Sequence, residues 1–308
     1  MNYTLHQLQV FVTVVKIKHI SKAAEELHMT QPAVSIQLKN FLSQFDVPLL
    51  ETIHKRIHVT DAGYEVYELG RAILNDVEQI HHRMLARKGL LSGKISFVSV
   101  STGKYIIPYF IAPFVKQFPY IEFKMDVRNR HRSLQMLQQQ EADFALVSVL
   151  PDELDVEEEW LMPNYLWLVA APESQKKYTK GRKLDPEVPV IYREAGSGTR
   201  LTLERYISKT GIQPKVMLEL ESTEAIKQAV LAGLGFSILS LYSMRHELHA
   251  GEITLIKAPG FPLQTDWRII WLKGKKLSPA TDAFIRFIRE EKDRIKQQSF
   301  QWIHPYLK

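Results

Sequence analysis

The 308-residue chain contains no cysteine. That excludes disulfides, zinc–thiolate sites and cysteine nucleophiles, and it fits the reducing cytoplasm. No run of about 18 apolar residues occurs, so no membrane span is expected. The N-terminus, MNYTLHQLQVFVTVVKIKHIS, lacks a positive cluster and is amphipathic. It reads as folded structure rather than a signal peptide. Internal repeats and low-complexity segments are also missing. Acidic residues are in deficit, 34 against 40 Lys and Arg, which leaves a net charge of +6. The excess suits an anionic partner but is spread out: residues 1–60 hold six Lys/Arg against four acids. Five histidines in that stretch add charge only at lower pH. Charge alone does not make this a DNA-binding protein, and geometry must carry that claim.

What is present is an ordinary globular composition, 45% apolar and 24% charged, long enough for about two or three domains. Leu5, Leu8, Phe11, Val12 and Val15 recur at helical spacing and predict a helix over 4–17. A second helix is expected over 21–28, capped by Ser21, and a third over about 31–45, capped by Thr30 with Pro32 in its first turn. In the third, Val34, Leu38, Phe41, Leu42 and Phe45 share one face. PLLETIHKRIHVTDAG, residues 48–63, reads as two short strands around the basic tip His54-Lys55-Arg56, with Thr60 capping a long helix over 61–88. Val66, Leu69, Ile73, Val77, Ile80 and Met84 recur along that helix at steps of three and four. Such a seam has no core of its own and predicts dimerisation through another copy.

Residues 89–93, GLLSG, are the expected hinge. Beyond them strand-like runs (KISFVSVS, FKMDV, DFALVSV, LWLVAA, VPVIY, FSILS, RIIWL) alternate with helical ones, which argues for parallel α/β units. Residues 279–298 read as a charged amphipathic helix.

The stretch SKAAEELHMTQPAVSIQLKNF, residues 21–41, fits a helix-turn-helix. Ala23 and Ala24 permit close approach of two helices, and Leu27 and Val34 fill the angle between them. The second helix then offers its N-terminal residues to the major groove. Gln31 suits a base edge, ideally adenine, while Pro32, Ala33 and Ile36 suit thymine methyls. Ser35 and Lys39 reach phosphates. The tip carrying Lys55 and Arg56 lies where a wing meets the duplex. An ordinary helical hairpin with a capped second helix explains the same residues.

HISKAAEELHMTQPAVSIQLK, the wing ending in VTDAG, the long helix and the two-lobed α/β remainder together resemble the LysR-type transcriptional regulators, over essentially the whole chain. The resemblance implies an α/β protein with a winged helix-turn-helix over 1–60, a dimerising linker helix over 61–88 and a periplasmic-binding-protein-like effector domain over 94–308. Lobe I would take about 94–163 and 265–308, and lobe II about 164–264. It further implies tetramers built from dimers on promoter DNA, and contact with RNA polymerase. Gln31, Pro32, Ser35 and Lys55 match the family's DNA-contacting positions. Leu50-Glu51-Thr52 stands where the family commonly has Phe-Glu-Arg, which removes one expected phosphate contact. Phe41-Leu42-Ser43 also departs from the usual Leu-Glu.

In an open α/β sheet, ligands sit beyond the carboxyl ends of strands, often at helix N-termini. Ser101, Thr102 and Lys104 follow the first strand of the second half. Arg128, Asn129 and Arg130 follow the next, and Ser148 closes DFALVSV. Ser197, Thr199 and Arg200 follow VPVIYRE, and Ser222 precedes a further helix. Simple helix caps and a solvated arginine face explain many of these. Four stretches, STGKYIIPYF, the RN of VRNRHRSL, REAGSGTRLTLERY and STEAIKQAVLAGLGFSILS, resemble the subgroup regulating carbon-fixation operons. That resemblance implies no cofactor but a small anionic effector: a phosphorylated metabolite, a nucleotide or a carboxylate. Effector, operator and the sign of regulation are not written in the chain.

Two other readings compete. Ser101–Lys104 fits S-x-x-K and Lys209-Thr210-Gly211 reads K-T-G, as in penicillin-binding hydrolases, but no S-D-N element accompanies them. A plain solute-binding protein explains 94–308 but does not need 1–88, so this reading requires the N-terminal part to be a helical interaction module. His81-His82 and His246/His249 lack a third metal ligand.

Overall fold

The computed structural model describes residues 2–53, 56–87, 90–180, 183–184, 188–210 and 214–307. The chain divides between residues 90 and 91 into two compact units.

In the first unit, α1 (Leu5–Ile17) opens with a capping box: Thr4 Oγ1 accepts from the Gln7 N–H and Gln7 Oε1 from the Thr4 N–H. Lys18, at φ 55, ends the helix in a left-handed turn. Extended backbone is recovered at His19, so α2 (Ile20–Glu26) starts one residue earlier than expected. His19, not Ser21, caps it: its Nδ1 accepts from the Lys22 N–H at 3.4 Å. α3 (Gln31–Leu42) starts at Thr30 as expected and stops at Leu42, leaving Phe45 in the following turn. β1 (Leu50–Ile53) and β2 (Arg56–Val59) pair antiparallel, Leu50 opposite Val59. Thr60 caps α4 (Asp61–Arg87) by accepting from the Gly63 N–H at 3.0 Å.

Ala23 and Ala24 are buried with Val34, as a close α2–α3 approach requires. Phe11, Phe41, Leu38 and Leu49 complete this core, with Phe11 stacked on Phe41 at 4.8 Å. Leu5 stays outside, and Val10 and Val14 take the inner positions instead.

The second unit is a mixed sheet with helices on its faces. In chain order it holds β3 (Ser92–Val100), α5 (Ile107–Gln117), β4 (Tyr120–Arg128), α6 (Arg130–Gln138), β5 (Phe144–Val147) and β6 (Val156–Ala170). Next come α7 (Pro172–Tyr178), β7 (Thr179–Lys180), β8 (Lys183–Leu184), β9 (Pro189–Arg193), α8 (Gly198–Thr210), β10 (Lys215–Leu220) and α9 (Thr223–Leu231). β11 (Ser237–Ser240), α10 (Arg245–Ala250), β12 (Thr254–Leu255), β13 (Leu263–Leu272) and α11 (Pro279–Phe300) complete it. The main sheet runs β11-β6-β13-β5-β3-β4, with β12 on β6. The expectation of parallel units holds for β3 with β4 and β5, and for β9 with β10. It fails in the middle, where β13 runs antiparallel to both β5 and β6. The reason is topological. β6 and β13 carry the chain out to the second lobe and back, so they must run in opposite directions.

Phe97, Phe110, Phe114, Phe144 and Phe284 pack in the first lobe, in a core that continues into the second through Ile191, Ile226 and Val230. Leu168, Val190, Leu203, Phe236 and Ile238 pack in the second. The mouth between them collects the C-terminal ends of β3, β5 and β9 and the starts of α6 and α8. Among the described residues, no helix is long and apolar enough to cross a membrane.

Candidate functional sites

α3 buries Val34, Leu38 and Phe41 and turns its other positions outward. Gln31, Pro32 and Lys39 are exposed, Ala33 and Ser35 half-buried, and Ile36 is 59% exposed. An isoleucine that far out costs apolar hydration unless a partner covers it. Lys55 lies outside the described residues. Arg56 pairs with Ile53 where β2 begins. A basic hollow of about 520 Å³ adjoins the wing, lined by Lys18, His19, Lys22, His58 and Tyr64 among others. Sequence reading missed it because its residues come from α1, α2, β2 and α4 and share no local pattern.

Along α4, Leu69, Ile73, Val77, Ile80 and Met84 are exposed, Leu69 and Ile80 by 66% and 62%. Val66 departs from the predicted seam. It is half-buried and packs on the first unit's core, because α1 covers that end of the helix.

In the second unit, six of the ten predicted ligand residues line one cavity: Ser101, Thr102, Asn129, Ser148, Ser197 and Thr199. The free space holds about one water molecule. The other four are engaged elsewhere. The Lys104 ammonium lies over the Tyr105 ring at 5.1 Å. Arg128 pairs with Asp126 at 3.2 Å. Arg200 pairs with Glu204 at 2.7 Å and Glu219 at 2.6 Å and donates to the Arg193 carbonyl. Ser222 caps α9, accepting from the Ala225 N–H at 3.3 Å.

Two arginines join the cavity lining: Arg130, which the sequence offered beside Arg128 and Asn129, and Arg193, which it did not single out. Arg130 donates to the carbonyls of Val149 and Leu150, which fixes the loop carrying Ser148. Arg193, with its side chain 3% exposed, is held by the Glu194 carboxylate at 2.7 and 2.9 Å. Its Nη1 also donates to Thr223 Oγ1 at 3.0 Å, and that hydroxyl lies 3.3 Å from Ser101 Oγ. A hydroxyl relay thus joins the two lobes beside the cavity. A second bridge runs from Tyr105 Oη to Glu224 at 3.4 Å, with Lys227 between Glu224 and Glu247. Burial pushes the Tyr105 phenol up, so it stays protonated and donates across the cleft.

Residues 5–64 match the bacterial regulatory helix-turn-helix family of LysR type, and residues 88–293 match the LysR substrate binding domain. The chain belongs to the LysR family. It is a DNA-binding transcriptional regulator with an effector-binding domain, not an enzyme. The LysR chain is 36% identical to the HTH-type transcriptional activator CmpR of Synechocystis sp., over 93% of its length and 95% of that protein's. It is 34% identical to the RuBisCO operon transcriptional regulator of Allochromatium vinosum, over 96% and 98%. The Synechocystis CcmR regulatory domain, solved in complex with 2-PG, aligns at 30% identity and a TM-score of 0.59, covering 65% of this chain and 98% of that one. Membership sets aside the hydrolase reading. Ser101 is hydrogen-bonded to Thr223, Lys104 is stacked on Tyr105, and Gly211 lies outside the described residues. Among the described residues, no group of three or more His, Asp or Glu is arranged to hold a metal.

Proposed function

We propose that this LysR regulator controls a carbon-fixation operon in response to a small phosphorylated or carboxylate anion bound in the 101/129/148/197–199 cleft. The observation that carries the reading is the cleft itself. Five hydroxyls and the Asn129 amide converge there at the start of the 13-residue helix α8, with Arg193 behind them. The likeness to the CcmR domain and to RuBisCO-operon regulators supports the ligand class and the target genes.

Gln31 reads a base edge, with Pro32, Ala33 and Ile36 on thymine methyls. Ser35, Lys39, Lys55 and Arg56 take phosphates. Leu69, Ile73, Val77, Ile80 and Met84 form the seam with a second copy, and dimers pair into tetramers. The cavity is too small for an organic anion as it stands, so binding requires the lobes to rearrange. That rearrangement changes dimer packing, the spacing of the DNA readers, the DNA bend and contact with RNA polymerase in the cytoplasm. A ligand achieves this only through different affinity for the two arrangements.

The test is fluorescence anisotropy on DNA upstream of the protein's own gene and of a RuBisCO operon, against scrambled DNA, at one fixed salt concentration. A preference of about a thousandfold, altered by 2-PG, is the expected result. A footprint and bend unchanged at saturating 2-PG, inorganic phosphate, nucleotides and carboxylates would refute the effector reading.

A further inference from the structure

We infer that the Glu194 carboxylate holds, on Arg193, the seat that the effector's anionic group takes when it binds. The inference rests on the cleft being the effector site.

Consecutive side chains on an extended strand point to opposite faces. Arg193 and Glu194 do not, because the chain leaves β9 at Arg193 and turns. The two side chains then meet in a two-point fork, Nε to Oε2 at 2.7 Å and Nη2 to Oε1 at 2.9 Å. This is the geometry in which a guanidinium takes an external carboxylate or phosphate. The fork is shielded, with the two side chains only 3% and 10% exposed. Arg193 lines the cavity, whereas Glu194 lies behind it and is not in the lining.

Arg193 does not depend on Glu194 for its position. Nη1 donates to Thr223 Oγ1 at 3.0 Å and Nη2 to the Glu221 carbonyl at 3.2 Å, both at the start of α9. The guanidinium therefore stays in place when its carboxylate partner is exchanged. A neutral ligand gains nothing by that exchange. A two-oxygen anion that replaces Glu194 keeps the guanidinium paired, provided the displaced carboxylate turns out to water, and the hydroxyls of Ser197, Thr199 and Ser148 complete the anion's shell. Glu194 thus acts as a tethered competitor that lowers affinity and selects for strong oxyanions. Thr223 also meets Ser101 of the other lobe, so the guanidinium that takes the anion is hydrogen-bonded to the interlobe relay.

The experiment is isothermal titration of the full-length protein with 2-PG, inorganic phosphate and glycolate, in wild type, Glu194→Gln, Arg193→Lys and Ser197→Ala. Glu194→Gln removes the competing charge and is expected to tighten anion binding at least tenfold. Arg193→Lys keeps the charge but loses the fork, and is expected to weaken binding at least tenfold. Affinity that is unchanged or weaker in Glu194→Gln overturns the inference. Wild-type binding that is lost in Ser197→Ala but indifferent to Glu194 overturns it while leaving the effector cleft intact. Absence of binding in both wild type and Glu194→Gln overturns both readings. If Glu194→Gln unfolds at assay temperature, its melting midpoint decides. A larger rise with phosphate than wild type shows supports the exchange, and an equal or smaller rise overturns it.

Discussion

Gly63, in the first turn of α4, lies directly against the carbonyl oxygen of Leu49, and a β-carbon placed on it would overlap that oxygen. The same carbonyl accepts from the Thr60 N–H, and the Thr60 hydroxyl donates to the Pro48 carbonyl and caps Gly63. Backbone, not a flexible side chain, blocks the space. Gly63→Ala is therefore expected to cost about 2–3 kcal/mol, despite alanine's better helix propensity. A thermal melt of the full chain followed by circular dichroism checks this, and an unchanged or raised first transition would show the close approach to be dispensable.

The recognition helix makes separable predictions for its two kinds of contact. With Gln31 on a base edge as proposed, Gln31→Ala is expected to cost about 1–3 kcal/mol on operator DNA and little on random DNA. With Lys39 on a phosphate as proposed, Lys39→Ala is expected to weaken both alike and lower the salt slope by about one. Anisotropy titrations at three salt concentrations distinguish them. Equal losses for Gln31→Ala on both DNAs would mean that α3 does not read sequence.

Leu69 and Ile80 stand far out on α4, 66% and 62% exposed among the described residues. A charge placed in a helix–helix seam is costly because it is desolvated without a partner. Leu69→Asp and Ile80→Asp are each expected to raise the dimer dissociation constant at least about thirtyfold. Val66→Asp is expected to act on folding of the first unit instead, since Val66 packs on its core. Sedimentation velocity together with a thermal melt reads both effects. A mass that does not change for Leu69→Asp would place the dimer interface elsewhere.

These contrasts show where sequence was enough. Thr30 and Thr60 were legible as caps because capping is local chemistry between a hydroxyl and an N–H three residues on. His19 was not, since imidazole rarely serves as a cap and the left-handed turn at Lys18 set the frame. The cleft hydroxyls were legible because they follow strands and start helices. Arg200 looked like a ligand residue by the same rule, but Glu204 one helical turn on and Glu219 on β10 capture it. Arg193 escaped notice as the last residue of an apolar strand, and its role appears only when Glu194 folds back on it. β10 itself had no legible pattern: five of its six residues are exposed, so no alternation marks it as a strand.

The last prediction concerns pH. Burial alone would raise the Glu159 carboxyl, but hydrogen bonds from Lys292 at 2.8 Å and Arg289 at 2.6 Å outweigh it and hold it below the usual carboxylate range. Both partners come from α11, so the cluster ties that helix to β6. A carboxyl depressed in the folded state contributes stability that is complete above its unfolded value, about 4.3. The contribution is lost as pH falls through the lower folded value. Glu159→Gln is therefore expected to cost about 1–2 kcal/mol at pH 7, a modest figure because Arg289 is half-exposed and solvent screens it. The difference from wild type should begin to shrink as pH falls below about 4.3, where the carboxyl protonates in the unfolded chain. Urea titration followed by tryptophan fluorescence is the right measurement. All five tryptophans, from Trp160 to Trp302, lie in the second unit, so the signal reports on that unit alone. An equal loss at pH 3.5 and pH 7 would mean that packing of the Glu159 side chain, rather than its charge, holds α11 to the sheet.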